Sequence, residues 1–218
     1  MDSLPIFPLP IAVCPHEIVP LHIFEDRFKR LIHDCLSLEK AGGSGEFVIA
    51  YSDNQAIADV GCVVRLLKVI KHYEDGRMDV VVAGRRRVAI HGVEAGDPCQ
   101  QSAITLYHDT RADWNEDLAN KAYHLHRAVI HAITGSMPED RHYAGISDLS
   151  FLLASSLEMD VELRQKILVS QCEDERLNML ISAMKSLMCQ IERVQVAARS
   201  IQGHWLLQQS FGSVAGTP

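Results

Sequence analysis

The chain has 218 residues, of which 47% are hydrophobic and 22% charged, and its formal net charge is −7. These values are typical of a globular protein and exclude intrinsic disorder over most of the chain. Such a length suits one large domain or two small ones. Residues 1–110 carry 11 basic and 15 acidic side chains, and residues 111–218 carry 10 and 13. Neither half is basic, which argues against a nucleic acid as the main partner.

The cysteine pattern and the absence of long apolar runs favour a cytoplasmic protein. No C-x-x-C pair occurs among Cys14, Cys35, Cys62, Cys99, Cys172 and Cys189. A chain this rich in core-forming residues does not need disulfides, so free thiols are expected. The chain contains no run of about 18 uncharged apolar residues, so no membrane span is predicted. Residues 1–15 combine four prolines with no positively charged start, which is unlike a signal peptide.

The first part of the chain has the pattern of β-strands. Three prolines predict an extended start over residues 4–11, and Pro20 predicts an edge or bulge position in a second strand over 17–24. Glu74-Asp75-Gly76 predicts a hairpin turn, because glycine supplies the positive φ that a tight turn needs. Apolar residues at helical spacing predict one helix over 25–38. Apolar and alternating runs predict further strands over 47–51, 62–73, 78–83, 88–93 and 103–107.

From about residue 113 the apolar spacing becomes helical. Helices are predicted over 118–133, 148–157, 160–171 and 174–201. Gly203 is predicted to end the last helix. The sequence thus predicts an α+β protein with three parts, which are a β-rich subdomain over 1–112, a helical bundle over 113–211 and a flexible tail over 212–218.

Two runs near the start resemble a known family. LPIFPL at residues 4–9 and VPLHIFEDRF at residues 19–28 are similar to the opening of the amino-terminal, substrate-binding domain of Lon proteases. Later elements, including the helical segment 149–180, extend the resemblance over about residues 4–200. It implies a PUA-like antiparallel β-barrel followed by a helical bundle. The motif residues, which are expected to have structural roles, are Pro8, Leu9, Pro20, Leu21, Phe24, Glu25, Arg27, Phe28, Asp75, Gly76 and Arg77.

The chain differs from Lon proteases in what it lacks. It has no G-x-x-x-x-G-K-[ST] loop to hold ATP phosphates, and nothing resembles the serine–lysine peptidase domain. The resemblance is therefore to the binding portion in a stand-alone form, with no catalytic residue, no metal and no cofactor expected. One local departure is Pro15-His16, where the family usually has Pro-Gly.

Three patterns that suggest chemistry are weak. Ser182-Ala183-Met184-Lys185 fits the S-x-x-K motif of a serine hydrolase, but the companion S-D-N and K-T-G elements are missing. His16-Glu17 begins like H-E-x-x-H, but Pro20 occupies the position of the second histidine. His124, His126, His131 and His142 are close in sequence and are expected to be solvated histidines rather than metal ligands.

Four residues are binding candidates. Arg85 and Arg87 are expected to point to the same face of a strand, and with Lys68 and Lys71 nearby they raise the alternative of an RNA-binding PUA-like module. Trp114 and Trp205 lie outside the periodic apolar stripes, and aromatic residues are enriched at interfaces.

The function that the sequence predicts is non-catalytic binding of unfolded segments or of a partner protein in protein quality control. The route is an apolar groove on the barrel or between barrel and bundle, aided by a barrel edge that accepts an extended peptide. RNA binding, and less strongly serine hydrolysis, are the alternatives. A homodimer through the long last helix is also left open.

Overall fold

The structure, a computed structural model, describes residues 2–53, 56–110, 115–140, 143 and 148–212, and it describes 198–212 by their backbone alone. The strands are β1 (Asp2–Leu9), β2 (Ile18–Ile23), β3 (Glu46–Tyr51), β4 (Val60–His72), β5 (Met78–Glu94) and β6 (Gln101–Leu106). The helices are α1 (Asp26–Lys40), α2 (Glu116–Thr134), α3 (Leu149–Ser155), α4 (Val161–Val169) and α5 (Glu173–Gly212). The α+β class and the order of elements agree with the prediction.

Five strands are hydrogen-bonded in a closed ring, which we call the barrel. The order is β5-β4-β3-β1-β6, and β6 pairs back with β5. β2 is attached to the first half of β5, outside the ring. The pairing of β1 with β3 is parallel, whereas the other pairings between these strands are antiparallel. The antiparallel barrel that the resemblance implies is therefore mixed at one seam.

β5 corrects the prediction of two short strands over 78–83 and 88–93. It is a single strand of 17 residues that pairs first with β2 and then with β6. Gly84 lies at the predicted break. A Cβ at this position would lie 2.1 Å from the carbonyl oxygen of Cys14. The glycine thus allows the loop over 14–17 to approach β5 closely without interrupting the strand.

α1 closes one end of the barrel core. Its buried face consists of Phe28, Leu31, Ile32 and Cys35, at the spacing that predicted the helix. The ring of Phe28 stacks on that of Phe7 in β1, with 3.7 Å between centroids. The predicted hairpin turn is confirmed, since Gly76 has a φ of +82° between β4 and β5.

The bundle packs α2, α3 and the first half of α5 around one apolar cluster that includes Leu177, Leu180 and Met184. α5 corrects a second prediction, because it continues through Gly203 to Gly212. The predicted tail otherwise lies outside the described residues. The boundary at 112/113 remains a prediction, and residues 111–114 are also outside the described residues. None of the described helices is both long enough and apolar enough to cross a lipid bilayer.

Candidate functional site

An apolar groove of about 370 Å³ lies between the barrel and the bundle. One wall is the loop before β2 together with β2 itself, and the other is the turn between α3 and α4 and the start of α4. We call this cavity the groove. Its lining residues are Ile11, Ala12, Val13, Glu17, Val19, Pro20, Met159, Val161 and Arg164.

β2 borders the groove with a free backbone edge. The strand pairs with β5 on one side, and no described strand pairs with its other side. Gly84 of β5 donates its N–H to the carbonyl of Glu17 at 2.8 Å and accepts from the N–H of His16 at 3.0 Å. Residue 17 is therefore bonded to β5, which sets the alternation for the rest of β2.

That alternation determines which backbone groups are free. In an antiparallel pair, hydrogen-bonded positions alternate with non-bonded ones. Val19 and Leu21 therefore face β5 with their backbone groups, whereas Ile18, Pro20 and His22 face away from it. Proline at an outward position costs the sheet no hydrogen bond, and Pro20 thus confirms the predicted edge. The Ile18 side chain is 66% exposed beside this edge.

An ion pair connects the two walls of the groove. Glu17 Oε1 lies 2.8 Å from Arg164 Nη1, and both side chains are largely buried. Glu17 also accepts the N–H of Cys14 at 2.9 Å, which fixes the loop before β2. Because each charge neutralises the other, the groove presents mainly apolar surface to a ligand.

A second cavity, of about 610 Å³, adjoins the groove on the bundle side. Met159 lines both cavities, and the apolar residues Leu163, Ala183 and Leu187 line the second one. Its rim carries two carboxylates, those of Glu158 and Asp160. Together the two cavities form one extended path, with the two carboxylates on either side of Met159, the residue that both cavities share.

A different part of the boundary between barrel and bundle is polar, and we call it the junction. A cavity of about 300 Å³, the junction cavity, opens beside it and is lined by Arg87, Asp109 and Arg176 among others. Arg87 of β5 is 7% exposed and donates to the carbonyls of Leu168 (2.8 Å) and Ser170 (2.7 Å) at the end of α4. It also forms an ion pair with Asp109. The barrel is thus hydrogen-bonded directly to the bundle.

Arg176 of α5 is the centre of the junction and is fully buried. Its guanidinium donates to both carboxylate oxygens of Asp109, at 2.7 and 2.6 Å, and to the hydroxyl of Ser150 at 2.8 Å. Its ion pair with Glu173 completes the set. Two arginines and two carboxylates balance in charge. Both guanidinium groups also lie over the ring of Phe151, whose centroid is 4.7 Å from Arg87 Cζ and 4.5 Å from Arg176 Cζ.

The pKa of Asp109 shows that the junction is held in its ionised form. Burial alone would raise this pKa, but the hydrogen bonds and charges of Arg176 and Arg87 outweigh it and lower the pKa below its usual value. Burial also lowers the pKa of Arg87, with Arg176 contributing, whereas Asp109 and Glu173 raise the pKa of Arg176 against its own burial. The arginines remain charged at any physiological pH.

A family model described as the substrate-binding domain of ATP-dependent protease La (LON) matches residues 3–186. The chain belongs to this family. The sequence resemblance is thereby confirmed, and the match ends within α5.

Two curated relatives and two solved structures are similar to the chain. The Lon protease of Flavobacterium johnsoniae is 26% identical over 183 residues, which are 76% of this chain and 22% of that protein. Lon protease 2 of Herpetosiphon aurantiacus is 27% identical over 193 residues, which are 82% of this chain and 23% of that protein. The chain thus spans about a quarter of the length of these relatives.

The solved structures confirm the fold. A Lon N-terminal domain protein from Xanthomonas campestris has a TM-score of 0.62 at 22% identity, over 84% of this chain and 98% of that one. The N-terminal domain of Lon protease from Mycobacterium avium complex has the same TM-score at 18% identity and the same two coverages.

Most of the Lon-family motif residues have structural positions. Pro8 and Leu9 end β1, while Pro20 and Leu21 lie in β2. Glu25 is the N-cap residue of α1 and pairs with Arg27 at 2.8 Å, and the Arg27 guanidinium lies 4.4 Å from the ring centroid of Phe28. Asp75, Gly76 and Arg77 form the β4–β5 turn, in which Arg77 donates to Asp75. Phe24, which directly precedes Glu25, has a side chain that is 60% exposed, and its structural role stays a prediction.

Of the four binding candidates, Arg85 and Arg87 both line the junction cavity. Arg87 is buried in the junction, whereas Arg85 is exposed. That the two arginines act together in binding stays a prediction. Arg86, between them, pairs with Glu46 at 2.7 Å. The basic patch is thus smaller than predicted. Trp114 lies outside the described residues, and for Trp205 only the backbone, within α5, is described.

The hydrolase and metal patterns do not assemble into sites in the described part of the chain. The Ser182 hydroxyl donates to the carbonyl of Asn178 at 3.0 Å, within its own helix, and is not bonded to Lys185. No group of three or more His, Cys, Asp or Glu side chains among the described residues is placed to hold a metal ion. His126 corrects the prediction of solvated histidines, because it is buried and bonded to Tyr143 and Ser156. His142 lies outside the described residues.

Sequence reasoning predicted a groove of this kind but did not identify its residues. Ile11, Val13, Met159 and Val161 lie in or beside loops, where periodicity gives no indication of their burial. One usable signal is the apolar pair Met159 and Val161 around Asp160, because apolar residues in a short interhelical turn must pack against something.

Proposed function

We propose that the chain binds extended segments of unfolded or partner proteins in the groove, as part of protein quality control, with no ATP hydrolysis and no chemistry of its own. The observation that carries the proposal is the free edge of β2 along an apolar groove. An extended peptide that adds to a sheet edge gains main-chain hydrogen bonds, and adjacent apolar pockets accept its alternate side chains. Membership of a substrate-binding family supports a protein as the ligand.

The charges around the groove favour a particular class of segment. The one basic side chain that lines it, Arg164, is neutralised by Glu17, whereas Glu158 and Asp160 stand at the rim of the adjoining cavity. The proposed ligand is therefore an extended apolar stretch followed by lysine or arginine. Segments that end in acidic residues are expected to bind more weakly, because like charges repel at the rim.

The first experiment tests the backbone edge. The probe is a fluorescein-labelled peptide in which valine alternates with threonine and two lysines follow, and binding is measured by fluorescence anisotropy. We expect Ile18→Pro to raise the Kd about tenfold or more, because it removes an outward N–H donor. The matched variant Ile18→Thr keeps this donor and the β-branched shape, and its Kd is expected to stay near that of the wild type.

The second experiment tests the apolar wall. Val161→Lys places a charge in the groove, and Val169→Lys places the same charge on an exposed position of the same helix. The first variant should lose binding of the peptide and the second should keep it. Equal effects of the two variants, or a wild-type chain that binds an amide-methylated peptide as well as the unmethylated one, would contradict the proposal.

A further inference from the structure

The junction cavity, of about 300 Å³, has no role in the proposed function, and among the described residues it shares no lining residue with the groove. Pro15, Arg85 and Leu106 line it from the barrel side, while Asp148 and Arg176 line it from the bundle. Its volume is at the lower end of the range for small-ligand sites. The cavity therefore has room for one small molecule between barrel and bundle.

The arginines of this cavity differ in how far their charges are neutralised. Two of them belong to the junction, where two carboxylates balance them. Arg86 donates two hydrogen bonds to Glu46, at 3.0 and 2.7 Å. Arg85 is exposed, and its guanidinium forms no hydrogen bond or ion pair with the described residues. In the described part of the chain, Arg85 thus supplies the one arginine charge of the cavity that lacks a partner.

The carboxylates that line the cavity are both paired, as far as the chain is described. Asp109 accepts two hydrogen bonds from Arg176, at 2.7 and 2.6 Å. Asp148 Oδ2 lies 3.1 Å from His16 Nε2, and this hydrogen bond lowers the pKa of Asp148 and raises that of His16. Both shifts favour the charged form of the pair. With these carboxylates compensated, the cavity has an excess of positive charge at Arg85.

We propose that the junction cavity binds a small oxyanion of the phosphate type, with the Arg85 guanidinium as its main partner. The planar guanidinium presents paired N–H donors that match the oxygens of a phosphate. His108 also lines the cavity, and its ring keeps an N–H donor in either protonation state. Leu106 and Pro15 offer apolar contact to the rest of a molecule that carries the phosphate. This inference does not rest on the proposed function, since its residues lie outside β2 and the groove.

The charges favour a small anion over a nucleic acid. A nucleic acid is bound by several cationic side chains, each at a separate phosphate. Here the other arginines of the cavity are held by carboxylates of the chain itself, which leaves Arg85 as a single donor group for one oxyanion. The net charge of −7 also repels a polyanion at long range.

The test is isothermal titration calorimetry of the full chain with two probes, inorganic phosphate and phenyl phosphate. Arg85→Gln removes the charge and the paired donors, and it is expected to raise the Kd at least about tenfold. The matched variant Arg193→Gln removes an exposed arginine of α5 and should leave the Kd unchanged. Both positions are exposed, so both variants are expected to fold, which circular dichroism verifies.

The two probes distinguish the sources of the phosphate. A lower Kd for phenyl phosphate would assign the site to phosphate esters of small apolar molecules, and an equal or higher Kd would assign it to free phosphate. No saturable binding of either probe to the wild type, or equal Kd values in the two variants, would overturn the proposal. A single-stranded RNA that binds more tightly than both probes, and loses this affinity in Arg85→Gln, would also overturn it in favour of a nucleic-acid site.

Discussion

The barrel and the bundle meet in two regions that have opposite chemistry. The junction, around Arg87, Asp109, Glu173 and Arg176, is polar, and each of these charged groups has a partner of opposite sign. The groove, around Val13, Met159 and Val161, is apolar and open. The junction therefore fixes the barrel relative to the bundle, whereas the groove remains free for a ligand.

The physical reason for this division is the directionality of the contacts. Charge-assisted hydrogen bonds, such as the two from Arg176 to Asp109, hold only over a narrow range of distances and angles. Apolar contact has no such direction and accepts ligands of different sequence. A rigid polar joint beside an adaptable apolar surface is therefore well suited to binding varied segments in one place.

Arg176→Ala is expected to have the largest effect on stability. It removes the two hydrogen bonds from Arg176 to Asp109 and the ion pair with Glu173, and breaking a buried pair of this kind costs about 3–5 kcal/mol. The measurement is urea unfolding followed by circular dichroism. Arg193→Ala, on an exposed part of the same helix, should change the free energy of unfolding by less than about 0.5 kcal/mol. Equal small losses in both variants would contradict a structural role for the junction.

Acid is expected to weaken the bundle before it weakens the junction. Burial lowers the pKa of His126 to about 4, below the ordinary value of about 6.5. The unfolded chain therefore takes up the proton first, and stability contributed by neutral His126 is lost as the pH falls from about 6.5 to about 4. The loss is about 3 kcal/mol over the full window. Asp109 remains ionised in this window because its pKa is lowered.

Urea unfolding at several pH values tests this expectation. His126→Gln keeps donor and acceptor groups for Tyr143 and Ser156 but cannot take up the proton. The pH dependence of the wild type should therefore be steeper between pH 6.5 and 4 than that of the variant. Parallel curves would show that burial of His126 has no influence on stability in acid.

The sequence predicted the elements well because their signals are local. The apolar spacing of Phe28, Leu31, Ile32 and Cys35 predicts both the existence of α1 and its buried face, and Pro20 predicts a strand at an edge. Glycines are less reliable as signals for where a strand or a helix ends. The gap between the predicted strands 78–83 and 88–93 contains Gly84, yet β5 continues through it and the glycine serves the close approach of Cys14. Gly203 was interpreted as a helix end, although a single glycine costs a helix only about 1 kcal/mol.

The junction and the groove could not be predicted because their partners are distant in sequence. Arg87 bonds to carbonyls more than 80 residues away, and nothing near Arg87 distinguishes it from exposed Arg85. The same limit applies to the groove, whose walls come from residues near 15 and near 160. Only the presence of a groove beside an edge strand could be inferred, from the family resemblance and the position of Pro20.

Changes in the groove are expected to affect binding far more than stability. Val161→Lys, which should abolish peptide binding, is expected to lower the free energy of unfolding by less than about 1 kcal/mol, because Val161 is half-buried and the lysine charge stays hydrated in the groove when no peptide is bound. Urea unfolding of this variant is compared with that of Val169→Lys. A large loss of stability in Val161→Lys alone would show that the groove, like the junction, holds the barrel and bundle together.

The smallest effect concerns His16, which lies between the two regions, because Pro15 lines the junction cavity and Glu17 lines the groove. His16 has a φ of +68°, at the position where the resemblance to the family implies glycine. A non-glycine residue in this conformation costs about 1 kcal/mol. In return, its side chain lies 3.1 Å from Asp148 at the start of α3.

His16→Gly is therefore expected to have an effect that depends on pH. The hydrogen bond to Asp148 raises the pKa of His16 against its partial burial and the opposing charge of Arg85. Because the folded pKa is raised, the stability from this pair is fully present below about pH 6.5 and is lost as the pH rises through the folded pKa. Glycine should thus stabilise the chain at alkaline pH, where only the backbone strain counts, and stabilise it less or destabilise it in mild acid. His16→Asn tolerates the backbone conformation but carries no charge, so it separates the contribution of backbone strain from that of the pair with Asp148. A difference in the free energy of unfolding between wild type and His16→Gly that does not change with pH would exclude the ion pair as a link between barrel and bundle.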